Sequence, residues 1–378
     1  MSTTVPVCYA GPFCDASGYG EASRNAIEAL VVAGADICTQ KIVFTPHTFP
    51  GDALTKSAEE LVERKVDYKI KIIHTTPDVY KNYMERGKYN IGHLFWETTT
   101  IPKSWVLPCN QMSEIWTGSE SNKKALLDSG VTVPIRIFPQ SINVNIPIVR
   151  PFKVSNFDGF MFYSIFEWRE RKNPRALLTA FWKEFRGEKD VALSIMTHKG
   201  DYGLLSVEQI IHEARLWKNG LGFKDTPRVF LCTNILSTEE KHRFHETGTC
   251  FVSAHRGEGW GLPQVEAALH NKTVISTNYG GVHEYLNARH FKPVKYTIVP
   301  ITQIYNKYYE PGMGWAEVDE DDLRQRMRKV FELWSQKKTK GILRASATIA
   351  RNLVVASFNY KVVGDMMMGR LREIQKSL

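Results

Sequence analysis

The sequence predicts an α/β chain of two domains, each a parallel sheet wound with helices, and three observations lead there. Short β-branched runs alternate with stretches of helical periodicity along most of the chain. The alternation lapses at 147–158 (PIVRPFKVSNFD), where two prolines stand in mixed polarity without a period, as in a linker. A length of 378 residues also exceeds what one ordinary hydrophobic core supports. Strand–helix–strand order implies parallel pairing with right-handed crossovers.

Before the linker the pattern reads as strand 5–10, a helix over 21–32 ended by Gly34, and a helix near 57–65. Strands 68–74, 89–95, 114–117 and 135–138 follow, with a helix near 121–129. After the linker come strand 159–165, helix 174–185, strand 192–197, helix 207–216 and strand 228–232. Ser237 and Glu240 have the spacing of a capping box, in which the hydroxyl accepts from the third backbone N–H and the carboxylate reaches back. Strand 249–254, a loop with several glycines, helix 263–270 and strand 273–276 complete the second alternation. The remainder, 319–378, is mostly helical, and Met327, Val330, Phe331 and Trp334 fall at helical spacing as core positions.

With 43% hydrophobic and 24% charged residues and no low-complexity tract, the composition excludes a disordered or fibrous protein. Residues 1–13 lack the basic start and apolar stretch of a secretory signal, and no segment approaches the roughly 20 apolar residues needed to span a bilayer. The six cysteines are scattered without a CxxC pair, so neither a zinc site nor a disulfide framework is expected, and a reducing cytoplasm fits. Residues 1–150 hold 15 basic and 15 acidic residues, whereas the rest hold 34 and 25, so the whole net charge of +9 lies in the second part. Such an excess suits a phosphate, a nucleic acid or the periphery of an anionic membrane, or it is a solvated lysine-rich face.

The most informative segment is 255–284, HRGEGWGLPQVEAALHNKTVISTNYGGVHE. A strand delivers the chain to a loop containing Gly257, Gly259 and Gly261, and Pro263 then opens a helix where its missing N–H costs nothing. Glycines let a backbone approach a ligand, and N–H groups at a helix start favour phosphate, at the strand edge where doubly wound sheets bind ligands. Gly259, Gly261 and Leu262 are therefore candidate ligand-binding residues. Glu258 stands in the loop and Glu266 about one turn into the helix, so both can face one ligand; the alternative is capping and favourable dipole interaction.

At these residues the sequence resembles the GT4-type family of GT-B glycosyltransferases, whose signature sets two glutamates with seven residues between them before a small-residue helix and a Gly-Gly turn. EGWGLPQVEAALHNKTVISTNYGG carries it, with Glu258 and Glu266 as the pair. The resemblance implies a GT-B fold: two Rossmann-like domains with parallel sheets facing across a cleft, and a C-terminal helix returning to the first domain. The corresponding division is 1–150 for the acceptor domain, 151–356 for the donor domain and 357–378 for the returning helix. It further implies a retaining hexosyltransferase-type enzyme that takes its sugar from a nucleoside-diphosphate sugar without a metal or other cofactor. Glu258 would contact the sugar and its phosphate end, and Glu266 the ribose.

Upstream, FEWRERKNPRALLTAFWKEF (166–185) is similar to the family segment whose basic pair grips the donor diphosphate. Lys172 matches the family lysine before an Asn-Pro that opens a helix. The family arginine stands five positions earlier, where this chain has Glu167, which leaves Arg169 and Arg171 as the alternatives. In CDASGYGEASRN (14–25), Gly18 and Gly20 either bring the backbone against the donor phosphates or make a tight turn. IGHLFWETTTIPKSW (91–105) resembles a subgroup of the family and places His93 to bond a sugar hydroxyl and Glu97 to orient the acceptor. The alternatives are a structural histidine and a capping glutamate; Ser119 is a further candidate at the cleft edge.

A carbohydrate, lipid-linked or protein acceptor is favoured over a nucleic acid, because no aromatic-interleaved basic stripe is present and the first domain is charge-balanced. The competing readings are a modified-base glycosyltransferase of the same fold and an inactive nucleotide-sugar-binding module. A phosphorylase of this architecture would need a cofactor lysine and a much longer chain.

Overall fold

The computed structural model describes residues 4–43, 52–200, 203–286, 289–305, 307–336 and 340–378. It divides into two compact units, one of Met1–Val144, Asn306–Met313 and Val355–Leu378, the other of Asn145–Tyr305 and Gly314–Val354.

The first unit opens with β1 (Pro6–Gly11), α1 (Gly18–Val32), β2 (Asp36–Lys41), α2 (Ala53–Glu60) and β3 (Ile70–His74). It continues through β4 (Tyr89–His93), α3 (Lys103–Asn110), β5 (Glu114–Thr117), α4 (Glu120–Asp128) and β6 (Ile135–Ile137). The strands pair in the order β2-β1-β3-β4-β5-β6, all parallel. The chain steps outward from β1 to β2 and returns across it to β3, so the direction of winding reverses between β1 and β3, where doubly wound sheets open a crevice at their carboxyl edge. β3 is buried at every position, as a strand covered on both faces requires.

The second unit repeats the plan with β7 (Phe160–Glu167), α5 (Pro174–Glu184), β8 (Val191–His198), α6 (Leu204–Gly220), β9 (Arg228–Cys232) and α7 (Thr238–Thr247). Next come β10 (Cys250–Ser253), α8 (Leu262–Leu269), β11 (Thr273–Thr277) and β12 (Lys292–Val294). The order β12-β11-β10-β7-β8-β9 is again wholly parallel, and it reverses between β7 and β10. β13 (Tyr296–Pro300) and β14 (Gly314–Val318) form an antiparallel pair, and α9 (Glu320–Ser335), α10 (Lys340–Phe358) and α11 (Tyr360–Ser377) end the chain. Met327 and Val330 sit in the core with Phe160, Phe162 and Phe181, and Phe331 and Trp334 pack against it. The capping box at Ser237 and Glu240 is formed, with both reciprocal bonds in place.

α11 belongs to the first unit. Val363, Met367, Leu371 and Ile374 recur at steps of four and three, so they line one face, and that face joins the core of β1 and α1. Arg370 donates at 2.6 Å to the fully buried Glu114, which also accepts from the Trp116 indole at 2.7 Å. α1 and α11 approach so closely at Gly364 that a β-carbon there would overlap the Ala29 carbonyl. Gly364→Ala is therefore expected to destabilise the fold by about 1–3 kcal/mol, read as a lowered Tm. Gly369→Ala, in the same helix but with open space at its β-carbon, should leave Tm unchanged or slightly raised.

Several boundaries differ from expectation for local reasons. α1 begins at Gly18 rather than at residue 21, because the Ser17 side chain accepts from the Gly20 N–H at 3.1 Å and caps the helix. α2 likewise starts early, capped by Asp52. α3 was not anticipated, since Pro108 inside it reads as a helix breaker. The units part at residue 144 rather than 150 and at 355 rather than 357, and 306–313 groups with the first unit instead of the donor domain. The basic excess of the second unit is partly neutralised internally: Arg324 and Arg328 bind Glu184, Arg328 also binds Glu188, and Lys183 binds Glu320. No helix among the described residues is long and apolar enough to cross a membrane.

Candidate functional site

The reversal point of the second sheet brings together two loops that are 86 residues apart in sequence at Lys172 and Glu258. After β7 the chain makes a single 3-10 turn, Glu170–Lys172, and Asn173 adopts a left-handed conformation (φ 52°) that caps α5 by accepting from the Ala176 N–H. Asparagine tolerates that conformation better than most residues. After β10 the chain runs through 254–261 and enters α8 at Gly261, whose φ of 95° favours glycine. A β-carbon at Gly261 would also lie 2.6 Å from Val282 and 2.7 Å from the Tyr285 hydroxyl.

The loops are tied by both backbone and side chains. The Arg256 N–H donates to the Arg171 carbonyl at 2.7 Å, and the Arg171 guanidinium donates to the Gly257 carbonyl at 2.6 Å. Lys172 Nζ meets Glu258 Oε1 at 2.5 Å, with Arg171 Nη1 at 3.5 Å from Oε2. Arg256 braces the rim by binding Glu317 at 2.7 Å and Glu170, and Asn173 donates to the same Glu317 at 3.1 Å. The Gly280-Gly281 turn crosses beneath: the Gly281 N–H donates to the Glu258 carbonyl at 2.8 Å, and a β-carbon at Gly281 would overlap the Gly259 carbonyl. The result is a cationic pair beside the start of α8, whose first-turn N–H groups point the same sign of charge outward.

Burial pushes the Glu258 carboxyl upward, but Lys172 and then Arg171 outweigh it and hold the group at about 2. It is ionised across the neutral range. A carboxyl lowered on folding stabilises above its unfolded value near 4.5, and that contribution is lost as pH falls through about 2. The stability difference between the wild type and Glu258→Gln is thus expected to shrink as pH falls from 4.5 toward 2, by on the order of 3 kcal/mol, as thermal melts across that range would show. His255, also buried, is held at about 4, chiefly by burial.

Glu266 lies on α8 with its side chain 12% exposed, and its partners come from α7. Lys241 Nζ is 2.6 Å from Oε1, and His245 Nε2 is 3.5 Å from Oε2. Burial raises its carboxyl, but Lys241 and His245 more than compensate and hold it well below the usual range. Glu258 and Glu266 thus engage different cations. Gly259 and Leu262 are buried at the helix entry. Of the two candidate arginines, Arg171 joins Lys172, whereas Arg169 is half exposed and binds Glu167 at 2.5 Å.

In the first unit, Gly18 and Gly20 lie inside α1, not in the preceding loop. A β-carbon at Gly20 would overlap the Asp15 carbonyl, so that glycine serves a tight turn, while Gly18 is exposed with open space. His93 ends β4, fully buried beside His74 at the end of β3, their rings stacked at 4.2 Å. Burial lowers the His93 imidazole to about 3 and, with His93 adding to it, drives His74 well down, so both stay neutral. Tyr9 holds His74 Nδ1 at 2.6 Å, and His93 lines a small cavity with Gln140, Phe95 and Ala22. Glu97 meets the Tyr309 hydroxyl at 3.4 Å, from the 306–313 segment, rather than capping a helix. Ser119 caps α4 by accepting from the Asn122 N–H at 3.1 Å, which accounts for it without a ligand.

Sequence reasoning missed His74, Lys241 and His245. The last two stand four apart in a run already read as helical, a spacing that puts them on one face, yet nothing local indicates which face meets Glu266. Among the described residues no group of three His, Cys, Asp or Glu side chains converges as metal ligands would.

No family model matches the chain, and no curated protein matches it. Solved structures do. A sucrose-phosphate synthase from Thermosynechococcus elongatus aligns over 99% of this chain and 100% of its own, with a TM-score of 0.70 at 13% identity. HepE of Anabaena, solved with UDP, aligns over 98% and 100%, with a TM-score of 0.67 at 12% identity. TarM of S. aureus, solved with fondaparinux, α-GlcNAc-glycerol and UDP, aligns over 80% of this chain with a TM-score of 0.57 at 14% identity. The chain spans about half of TarM's length, 55%. At such identities the likeness is one of fold, and the fold is that of the GT-B glycosyltransferases, two Rossmann-like α/β units.

Proposed function

We propose that this chain is a glycosyltransferase of the GT4 type that transfers a sugar from a nucleoside-diphosphate sugar to an acceptor hydroxyl with retention of configuration. The observation that carries this reading is the convergence of Arg171, Lys172 and the start of α8 at the reversal point of the second sheet. Two cations and a helix N-terminus in one crevice suit a diphosphate. UDP in the HepE and TarM structures makes UDP-sugars the first donors to test.

In this reading the diphosphate lies against the first turn of α8 and within reach of Arg171 and Lys172. An ammonium has three donors, so Lys172 holds Glu258 and still reaches a phosphate oxygen. The acceptor oxygen forms a bond to the anomeric carbon on the face from which the phosphate leaves. The carbon–phosphate-oxygen bond breaks, and the acceptor proton passes to the departing phosphate. Arg171 and Lys172 stabilise the charge that develops there, the role a divalent cation plays elsewhere. The reading therefore includes no metal, and transfer is expected to persist in EDTA. Glu258 orients the cations and meets the sugar end, and Glu266 takes the ribose hydroxyls. A carbohydrate, lipid-linked or protein acceptor is the reading for the other substrate.

The test is release of nucleoside diphosphate from UDP-, GDP- and ADP-sugars, with Glu258→Ala alongside. Release that the variant abolishes supports the reading; no release from any of them, with no thermal shift, contradicts it. Glu266→Ala is expected to weaken UDP binding about tenfold by calorimetry, while the protein stays folded.

A further inference from the structure

The network behind Glu266 is more elaborate than an ion pair. α7 presents two pairs of side chains at helical spacing to two residues of the α8 region that are themselves four apart. Lys241 and His245 face Glu266, and His242 and Glu246 face His270. His270 Nδ1 donates to the Glu246 carboxylate at 2.6 Å, and its Nε2 lies 3.0 Å from His242 Nδ1, which fixes its ring. The His245 ring lies flat on it, with centroids 4.9 Å apart and planes 7° from parallel. From the other side the Tyr163 hydroxyl stands 3.0 Å from His245 Nδ1. The Tyr163 ring in turn occupies the space that a β-carbon at Gly248 would need.

We propose that His245 is a positioning residue for the donor nucleotide: held by Tyr163 and His270, it fixes the Glu266 carboxylate in the orientation that receives the ribose diol. The inference rests on the ribose role given to Glu266 above. Burial keeps the Tyr163 phenol protonated, and in the tautomer this inference assigns, its O–H donates to Nδ1 and the imidazole proton resides on Nε2, which is buried without a hydrogen-bond partner 3.5 Å from Glu266 Oε2. His245 itself is held at about 4, chiefly by burial, so the ring is neutral near pH 7. Lys241 anchors the other oxygen, Oε1. A carboxylate oxygen has a second lone pair, so both oxygens keep an acceptor site for the two hydroxyls of a ribose.

The experiment measures the UDP Kd by calorimetry, and KM and kcat for the nucleotide-sugar that turns over, in His245→Phe, His245→Gln, Tyr163→Phe and Glu266→Ala. His245→Phe keeps the ring stack and removes the N–H. It is expected to raise Kd and donor KM about tenfold, with kcat little changed. Glutamine restores an N–H and should recover most of the affinity. Tyr163→Phe, which removes only the hydroxyl that sets the tautomer, should raise Kd by about threefold and serves if His245→Phe does not fold. Unchanged Kd in His245→Phe, or glutamine no better than phenylalanine, overturns the inference while Glu266→Ala still weakens binding. Unchanged Kd in Glu266→Ala overturns the ribose reading itself.

Discussion

Replacing Lys172 by methionine is expected to lower the rate of sugar transfer by a factor of about 10² to 10³ and to lower Tm as well. Methionine keeps much of the lysine stem and removes only the cation. Two consequences follow from the 2.5 Å contact with Glu258. The diphosphate loses a positive partner as its charge develops, and a buried carboxylate loses its closest counter-ion. Breaking a buried pair costs roughly 3–5 kcal/mol, and the loss here should fall below that because Arg171 stays 3.5 Å from the other oxygen. The same substitution at Arg171 should act similarly. At Arg169, half exposed and bound to Glu167, it should change the rate less than about threefold, as expected for an exposed ion pair. Steady-state kinetics and thermal melts of the three variants decide whether the pair is Arg171 with Lys172 or includes Arg169.

Gly281→Ala is expected to be comparably damaging. Its β-carbon would overlap the Gly259 carbonyl and come within 2.6 Å of the Trp260 backbone, neither of which is a flexible side-chain end. The turn and the 257–261 loop must separate, and the bond from the Gly281 N–H to the Glu258 carbonyl lengthens or breaks. Overpacking of this kind costs about 1–3 kcal/mol. A displacement of about 1 Å in the loop that sets Glu258 and the start of α8 is enough for a hundredfold loss of rate. A Tm loss without a rate loss would show that the loop is not the donor cradle.

Much of the fold was readable because period and turn chemistry agree with the tertiary structure. Strands 114–117 and 228–232 have the bounds read from the sequence, and the helix read as 174–185 opens at its Asn-Pro and runs from Pro174 to Glu184. What was unreadable depended on long-range packing. α3 survives Pro108 because its Trp105 and Cys109 are buried in the first unit. Residues 306–313, lying between the two strands of an antiparallel pair, read as donor-domain loop, yet Tyr309 packs on Trp96. The family resemblance singled out the glutamates and Lys172 but left the arginine open: Arg169 and Arg171 are equivalent in a turn until its geometry turns one to Glu167 and the other to Glu258. Lys241, His245 and His74 carry no motif, and their partners lie 25, 21 and 19 positions away in the chain.

The central claim is that Arg171, Lys172 and the α8 start form a diphosphate site. Calorimetry of UDP, GDP and ADP against the wild type and the Arg171→Met/Lys172→Met double variant tests it most directly. At a ligand concentration 100 times Kd the wild type should also gain about 2.7 kcal/mol of stability. Binding of at least one diphosphate by the wild type and its loss from the folded double variant is the predicted result. Equal binding by both proteins, or binding by neither, would contradict the account.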